Sequence, residues 1–300
     1  MQYDLTILTD HRYVTPSQID EYTQNVLDED RLLAEACERL GMKVYRTNWD
    51  DPDMDWSTTK FAIFRTTWDY FERFPEFSKW LDAVQHQTKL INSKELIYWN
   101  LDKKYLKEME SKGVRIPGTI YLERNSSRSL ESIVAESGWS QCILKPAVSG
   151  AARHTYKFEA GNSSDYEVIY GELIAEESMM LQEYQEQITT KGEVSYILFG
   201  GKYSHSILKK AKSGDFRVQD DFGGTLHEYQ PSPEEIEFAE FALSQCPELP
   251  VYARVDVFWN NQDELVLGEL ELIEPELWFR KCNTAADACA KAIQSFVVNR

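Results

Sequence analysis

The chain has 300 residues, of which 42% are hydrophobic and 27% are charged, and its formal net charge is −18. A chain of this length can bury a large core and is long enough for about two domains. The acidic charge, without any run of lysine or arginine, argues against nucleic acid or an anionic membrane as a partner.

No apolar stretch reaches the roughly 18 residues of a membrane span, and the N-terminus lacks the basic and apolar segments of a secretion signal. The five cysteines show neither a CxxC pair nor zinc-finger spacing. Their odd number favours a reducing compartment. We therefore expect a cytoplasmic protein.

The first third of the chain alternates strand-like and helix-like segments, which predicts a parallel sheet with helices on its faces. Strands are predicted at residues 3–8, 43–46, 61–65 and 89–92, and helices at residues 29–40 and 76–87.

After residue 100 the pattern changes to a charged helix at 102–112, then mixed elements, then a last third rich in strands. Strands are predicted at residues 119–122, 142–145, 179–184, 193–199, 202–210, 251–259 and 265–273, and helices at 130–136, 166–176 and 285–297. The class predicted is α/β passing into α+β, with boundaries near residues 92 and 184.

Three carboxylates stand in two strand-like segments of the last third. Asp256 lies in ARVDVF, and Glu269 and Glu271 lie in LGELELIEP. Alternate side chains of a strand share a face, so the two glutamates repel each other unless a cation or water lies between them. With Asp256 on a neighbouring strand, they suit Mg²⁺ bound to phosphate. An edge strand with one solvated acidic face is the alternative.

Two lysines are candidates for phosphate contact. Lys145 ends the apolar part of CILKPAVSG, before a loop of small residues that includes Ser149 and Gly150. Backbone N–H groups of such a loop can approach a phosphate closely, although the spacing is not that of a Walker A loop. Lys103 near a helix start is unfavourable for the helix dipole unless a phosphate compensates it. Ordinary exposed lysines are the alternative in both cases.

The segment GDFRVQDDFGG carries a single arginine, Arg217, among glycines and aspartates. A flexible loop with one cation can close over a nucleotide, and a polar hairpin connection is the alternative. His154 is a minor candidate for phosphate contact, because a lone histidine is more often structural.

The segment RTTWDY follows the strand predicted at 61–65, and α/β sheets place ligand sites at such strand ends. Arg65 can pair with a substrate carboxylate and Asp69 with an amino group, with Trp68 and Tyr70 beside them. This reading indicates an amino-acid-like ligand. A Trp/Tyr core cluster with a surface ion pair explains the segment equally well.

Taken in order over residues 91–275, these segments resemble the ATP-grasp superfamily of carboxylate–amine ligases. INSKELIYWNLDKKYLKEMESKGVRIPGT is similar to the family's Asn-x-Asp-Lys helix, and CILKPAVSGAARHT to the strand and loop of its second ATP lysine. MMLQEYQEQITTKGEVSYI is similar to the adenine hinge. GDFRVQDDFGG, ARVDVF and LGELELIEP are similar to the mobile loop and the magnesium carboxylates.

Within the superfamily, RTTWDYF, KPAVSGAARHT and ELELIEP resemble the ligases that close the D-cycloserine ring from O-ureido-serine, and their uncharacterised relatives. ELE departs from the Glu-x-Asn that is common in the superfamily. The resemblance implies an ATP-grasp fold preceded by a Rossmann-like, pre-ATP-grasp domain. The implied domains are a substrate-side α/β domain (1–92), a lid domain with a connecting helix (93–184) and a C-terminal domain with the metal site (185–300).

The resemblance also implies a role for each nucleotide-site residue. Phosphates would be contacted by Lys103, Lys145, Ser149 and Gly150. Adenine would be held by Gln182 and by the backbone of Glu183, Tyr184 and Gln185, and the ribose hydroxyls by Glu193.

The metal ion, Mg²⁺ or Mn²⁺, would be held by the carboxylates of Asp256, Glu269 and Glu271. The transferred phosphoryl group would be stabilised by Arg217 and Arg254.

The implied activity is an ATP-dependent carbon–nitrogen ligase that converts a small carboxylate to an acyl phosphate. Ring closure within one molecule and joining of two molecules both stay open, as does a homodimer. A catalytically silent ATP-binding regulatory protein is the second hypothesis, and a kinase-like enzyme that releases the phosphorylated product is the third.

Overall fold

Three β-sheets organise the chain. The computed structural model describes residues 2–148, 153–212, 214–215 and 223–298. One sheet is parallel and occupies the N-terminal third, and the other two are antiparallel. The expected change from α/β to α+β along the chain is therefore confirmed.

The N-terminal sheet has the strand order β2-β1-β3-β4. Its elements in chain order are β1 (Tyr3–Thr9), α1 (Glu21–Arg39), β2 (Val44–Asn48), β3 (Thr59–Thr66), α2 (Phe74–Val84) and β4 (Lys89–Ile91). The central strands are largely buried because helices cover a parallel sheet on both faces. Helix α1 begins well before residue 29, since the Asp20 side chain caps it by accepting from the Thr23 N–H.

Two short helices, α3 (Lys94–Leu101) and α4 (Tyr105–Ser111), connect this sheet to the rest of the chain. The single helix predicted at 102–112 is therefore wrong in its first turn. Asp102 instead closes a turn, in which its side chain accepts from the Lys104 N–H at 2.9 Å. This turn places Lys103 between the middle and C-terminal sheets.

The middle sheet has the strand order β5-β8-β6-β7 and its own hydrophobic core, which includes Leu130, Leu144 and Leu181. Its elements in chain order are β5 (Thr119–Leu122), α5 (Leu130–Ser137), β6 (Gln141–Pro146), β7 (Tyr156–Glu159), α6 (Glu167–Glu176) and β8 (Met179–Glu183).

The C-terminal sheet has the strand order β11-β10-β9-β12-β13. Its elements in chain order are α7 (Gln187–Thr190), β9 (Glu193–Phe199), β10 (Lys202–Lys210), β11 (Thr225–Glu228), α8 (Pro233–Ser244), β12 (Tyr252–Trp259), β13 (Leu265–Glu271) and α9 (Ala285–Val298). Helix α9 packs against α1, so one core unites the N-terminal and C-terminal sheets. Among the described residues, no helix combines the length and apolar character needed to cross a bilayer.

Two buried asparagines tie the connecting segment to the C-terminal sheet. The Asn92 side chain donates to the carbonyls of Tyr252 (3.0 Å) and Leu272 (2.8 Å) and accepts from the Val251 N–H (2.7 Å). Asn100 donates to the Leu270 carbonyl at 2.9 Å. These bonds fix the position of Lys103 relative to β13.

Candidate functional site

Charged residues from four neighbouring strands, β10, β9, β12 and β13, meet on one face of the C-terminal sheet. In the β12–β13 ladder, Asp256 lies opposite Glu269 and Arg254 lies opposite Glu271. Residues two apart on a strand share a face, so these four side chains point the same way. Lys209 on β10 lies opposite Glu193 on β9.

Asp256 is the centre of this ionic cluster. Arg254 Nη2 lies 2.9 Å from Asp256 Oδ2, and Lys209 Nζ lies 3.2 Å from the same oxygen. The Ser195 hydroxyl donates to Asp256 Oδ1 at 2.5 Å, and Lys209 Nζ also lies 2.5 Å from Glu193 Oε1. Burial raises the pKa of Asp256, but the charges of Arg254 and Lys209 outweigh burial and hold that pKa below its usual value.

The two glutamates of β13 are each paired with a different cation. Lys103 Nζ lies 2.9 Å from Glu269 Oε1, and Arg254 forms an ion pair with Glu271. Burial raises the pKa of Glu271 to about 7 against the charge of Arg254, and repulsion by Asp256 and Glu269 adds to the rise. The face predicted to be acidic is therefore a cluster of alternating carboxylates and cations.

Lys145 is the penultimate residue of β6 and lies close to Lys103. The Lys103 N–H donates to the Ala147 carbonyl at 2.8 Å, which joins the end of β6 to the turn after α3. Burial and, to a smaller extent, repulsion by Lys103 lower the pKa of Lys145 to about 8, against the opposing charges of Glu269 and Glu193. An anion placed between the two lysines would relieve this repulsion. The predicted phosphate-loop residues Ser149 and Gly150, and the predicted catalytic Arg217, lie outside the described residues.

The three predicted metal ligands lie on one face, but no preformed metal site is present among the residues that the structure describes. No group of three His, Cys, Asp or Glu side chains there converges to hold an ion. The donor set is carboxylate oxygen alone, which suits Mg²⁺ when phosphate oxygens complete its shell. The residues fit a magnesium ion that arrives with a phosphate ligand.

The predicted adenine hinge runs from the end of β8 into the loop that follows. Gln182 is buried, and its amide nitrogen donates to the Thr119 hydroxyl at 2.9 Å. This assignment of the amide leaves its oxygen as an acceptor. Asn261 holds the next residues, since its side chain donates to the Tyr184 carbonyl (3.0 Å) and its N–H donates to Gln185 Oε1 (2.9 Å). The backbone of the hinge is thus fixed from the β12–β13 turn.

A cleft of about 510 Å³ opens beside the ionic cluster. On one side it is lined by Lys103, Lys209, Arg254, Glu269 and Glu271, and on the other by Trp68, Tyr70, Glu274, Glu276 and Trp278. The N-terminal and C-terminal parts of the chain therefore both contribute to it. Burial raises the pKa of Glu274 to about 8, with repulsion by Glu271 adding to the shift.

The segment RTTWDY contributes to this cleft only in part. Trp68 and Tyr70 line it, whereas Arg65 and Asp69 do not. Arg65 is 1% exposed and borders a separate cavity of about 30 Å³, which is room for about one or two water molecules. Asp69 is buried and accepts from Trp49 Nε1 (2.8 Å) and Arg73 Nη1 (2.9 Å). The prediction that Arg65 and Asp69 meet the substrate therefore has no support from their positions, because both side chains face the protein interior.

The residues of the cleft that were not among the predicted site residues include Lys209, Glu274 and Trp278. Lys209 could have been predicted only from its position opposite Glu193, and that position is known only once the β9–β10 pairing is known. Glu274 stands in the same LGELELIEP segment as the predicted ligands. His154, the minor candidate, is exposed and has a left-handed backbone with φ 51°.

The fold resembles solved ATP-grasp structures along its whole length. The D-alanine–D-alanine ligase of Bacillus anthracis matches with a TM-score of 0.67 and 13% identity, over 99% of this chain and 98% of that one. The ATP-grasp ligase PsnB, solved with precursor peptide PsnA2 and AMPPNP, matches with a TM-score of 0.65 and 14% identity, over 99% and 98% of the two chains. The chain therefore has the ATP-grasp fold, as predicted.

A more specific similarity links the chain to D-cycloserine synthetase. Residues 5–92 match the family model described as the N-terminal domain of D-cycloserine synthetase DcsG. The cycloserine biosynthesis protein DcsG of Streptomyces lavendulae is 28% identical over 260 residues, 82% of this chain and 86% of that protein. The crystal structure of D-cycloserine synthetase DcsG matches with a TM-score of 0.84 and 26% identity, over 98% and 99% of the two chains. The chain is an ATP-dependent carbon–nitrogen ligase similar to this synthetase, and the resemblance inferred from the sequence is confirmed.

Proposed function

We propose that the protein uses ATP and Mg²⁺ to phosphorylate the carboxylate of a small, amino-acid-like molecule and then joins the acyl phosphate to an amine-type nucleophile. The observation that carries this proposal is the ionic cluster at the cleft. Four cations and four carboxylates alternate there, namely Lys103, Lys145, Lys209, Arg254, Glu193, Asp256, Glu269 and Glu271. Such a cluster can receive a polyphosphate and its metal ion by exchange of ionic partners.

ATP would lie between the middle and C-terminal sheets. Its phosphates would be contacted by Lys103 and Lys145, and Lys209 is placed to join them. The Gln182 side-chain oxygen would accept from the adenine amine. Lys209 contacts one oxygen of Glu193, so the other remains for the ribose hydroxyls.

The metal ion would be held by Asp256, Glu269 and Glu271. When bound, Mg²⁺ neutralises phosphate charge and makes the γ-phosphorus easier to attack. Lys103 and Arg254, which hold these carboxylates, would turn to the phosphate oxygens and keep the charge of the site balanced. Ser149, Gly150 and Arg217 stay candidates for further phosphate contacts.

The chemistry explains why so many cations are needed. A carboxylate resists attack by an amine because oxide is a poor leaving group. A carboxylate oxygen of the substrate would attack the γ-phosphorus, and the bond to the bridging oxygen would break to release ADP. The amine nitrogen would then attack the acyl carbon, phosphate would leave with the bonding electrons, and the nitrogen would lose a proton to water. Arg254 would stabilise the negative charge in both steps, largely by position and electrostatics.

The proposal is tested by ADP release with MgATP and a panel of amino acids, dipeptides and O-ureido-serine, the last chosen for the similarity to D-cycloserine synthetase. The wild type is compared with Glu269→Ala, and Glu264→Ala on the exposed β12–β13 turn is the matched control. We expect substrate-dependent ADP release that Glu269→Ala abolishes and Glu264→Ala retains. Hydroxylamine added during turnover should trap the acyl phosphate as a hydroxamate.

The other two hypotheses give different outcomes in the same assay. A silent ATP-binding protein would bind ATP in calorimetry and turn over no member of the panel. A kinase-like enzyme would release a phosphorylated product without a new amide or ring. Absence of ATP binding would overturn the proposal as a whole. A cytoplasmic location and a homodimer remain predictions.

A further inference from the structure

The partly buried carboxylates of the cleft differ in whether a cation neutralises them. Glu269 pairs with Lys103, Glu271 with Arg254 and Glu276 with Arg280. Glu274 lines the same cleft, yet it forms no ion pair with any lysine, arginine or histidine in the described parts of the chain.

Aromatic residues hold Glu274 in place instead. The Trp68 indole N–H donates to the Glu274 backbone carbonyl at 3.0 Å. Tyr70, a residue that is only 9% exposed, lies near enough for its hydroxyl to interact with the Glu274 side chain. Trp68 and Tyr70 come from the N-terminal domain, so Glu274 lies where two domains meet around the cleft.

A carboxylate in such a place is costly without a counter-charge. Desolvation disfavours an ionised carboxylate, and a single hydroxyl does not replace a cation. The faces of tryptophan rings attract cations, and Trp68 and Trp278 line the same cleft as Glu274. A carboxylate bordered by tryptophan rings suits a primary ammonium group from a ligand.

We propose that Glu274 binds the ammonium group of an α-amino acid substrate, with Trp68 and Trp278 beside it. This inference rests on the proposed function, because the carboxylate of the same amino acid is the group to be phosphorylated. Residues 271 and 274 can be at most about 11 Å apart along an extended chain. Arg254, Glu271 and Glu274 line the same cleft, so the carboxylate of an amino acid held by Glu274 would point towards the Arg254–Glu271 pair. Glu274 thus replaces Asp69, which was predicted from RTTWDY, as the residue that binds the amino group of the substrate.

The test measures the binding of two pairs of small molecules. Binding is detected by intrinsic tryptophan fluorescence and by calorimetry, with and without AMPPNP and Mg²⁺. The D and L forms of serine carry the ammonium group, and the D and L forms of glycerate replace it with a hydroxyl. The proteins are the wild type, Glu274→Gln and Glu72→Gln. Glu72 is an exposed carboxylate of the same cleft, so its variant removes the same charge and serves as the control.

We expect the wild type to bind one serine enantiomer about 10- to 100-fold more tightly than the matching glycerate. Glu274→Gln should reduce this preference to about twofold or less while glycerate binding stays unchanged, and Glu72→Gln should keep it. Glu274→Gln should also melt at the wild-type temperature or above it, because the amide keeps the size of the side chain and carries no charge that burial would penalise.

Three outcomes would overturn the inference: equal binding of serine and glycerate to the wild type, no binding of either serine, or a preference that survives in Glu274→Gln. Failure of the proposed function looks different. Serine selectivity that depends on Glu274, in a protein that never releases ADP, would overturn the ligase proposal and leave the ammonium site intact.

Discussion

Arg254 binds Asp256 and Glu271 with the same guanidinium nitrogen, so one cation holds two of the carboxylates that we propose as metal ligands. Its other neighbour is the Trp278 ring, whose centre lies 5.3 Å from the guanidinium carbon. Arg254 thus links the metal face of the cleft to its aromatic side.

Replacement of Arg254 by lysine should reduce kcat by about 100-fold or more, because an ammonium group cannot reproduce the planar contact with two carboxylates and a phosphoryl group. ADP release measures the rate, and calorimetry with AMPPNP measures nucleotide binding. Arg115→Lys is the matched control, since Arg115 is exposed and donates to the Leu265 carbonyl, away from the ionic cluster. Equal kcat values in the two variants would contradict a role for Arg254 in catalysis.

The lowered pKa of Lys145 predicts a pH dependence of ATP binding. With a pKa of about 8 in the free protein, Lys145 is mainly protonated below pH 8 and mainly neutral above it. Phosphate favours the protonated form, so binding above pH 8 must be accompanied by proton uptake and should weaken by about tenfold per pH unit. Calorimetry in two buffers of different ionisation enthalpy measures the uptake. Lys145→Gln should abolish it, whereas an unchanged uptake in this variant would assign the proton to another group.

Burial of His205 predicts loss of stability in acid. Burial lowers the pKa of His205 from 6.5 to about 4, while one ring nitrogen lies 2.9 Å from the Leu277 carbonyl. Below pH 6.5 the His205 ring of the unfolded chain takes up a proton, whereas the buried ring of the folded chain stays neutral. The contribution of neutral His205 to the free energy of unfolding is therefore full above pH 6.5 and is lost as the pH falls towards 4. The loss should reach about 3 kcal/mol.

Urea unfolding at several pH values tests this assignment. His205→Gln should remove that part of the pH dependence, and His86→Gln, which changes an exposed histidine, should retain it. Identical pH profiles for the wild type and His205→Gln would show that other groups cause the acid sensitivity.

Asn92→Ala should destabilise the fold strongly, because three backbone groups at the start of β12 and just after β13 lose a buried hydrogen-bond partner. We expect a loss of about 3 kcal/mol or more in the free energy of unfolding. Denaturant unfolding measures it, with Gln262→Ala on the exposed β12–β13 turn as the control. A loss no larger than that of the control would mean that water replaces the side chain.

The sequence predicted best those elements whose signals are local. Strands β9 and β10 have the bounds that were predicted, since two adjacent glycines, Gly200 and Gly201, form the turn between them with φ of 56° and 80°. Helix α8 was not predicted, although Ser232 and Glu235 form a capping box that the sequence also carries. Helix α3 was missed because KELIYWNL has no clear apolar face, and its burial depends on the C-terminal sheet.

For the site, alternation along β13 predicted that Glu269 and Glu271 share a face, which the ladder confirms. The pairing of Glu193 with Lys209 could not be predicted, because it depends on strand register. The same limit explains Arg65 and Asp69. Their segment was predicted to carry the ligand site, but only the tertiary packing decides which of its side chains face inward.

The separate core of the middle sheet has a kinetic consequence. Most of its buried residues, among them Ile133 and Phe158, form a cluster of their own, although Met180 of β8 packs with the C-terminal sheet. One cluster, in contrast, unites strands of the N-terminal and C-terminal sheets. The proposed amino acid site is built from the two united domains, and the proposed adenine site includes the middle one. Rotation of the middle domain would therefore open the nucleotide site and leave the amino acid site assembled. We expect ADP to depart first and the ligated product to follow.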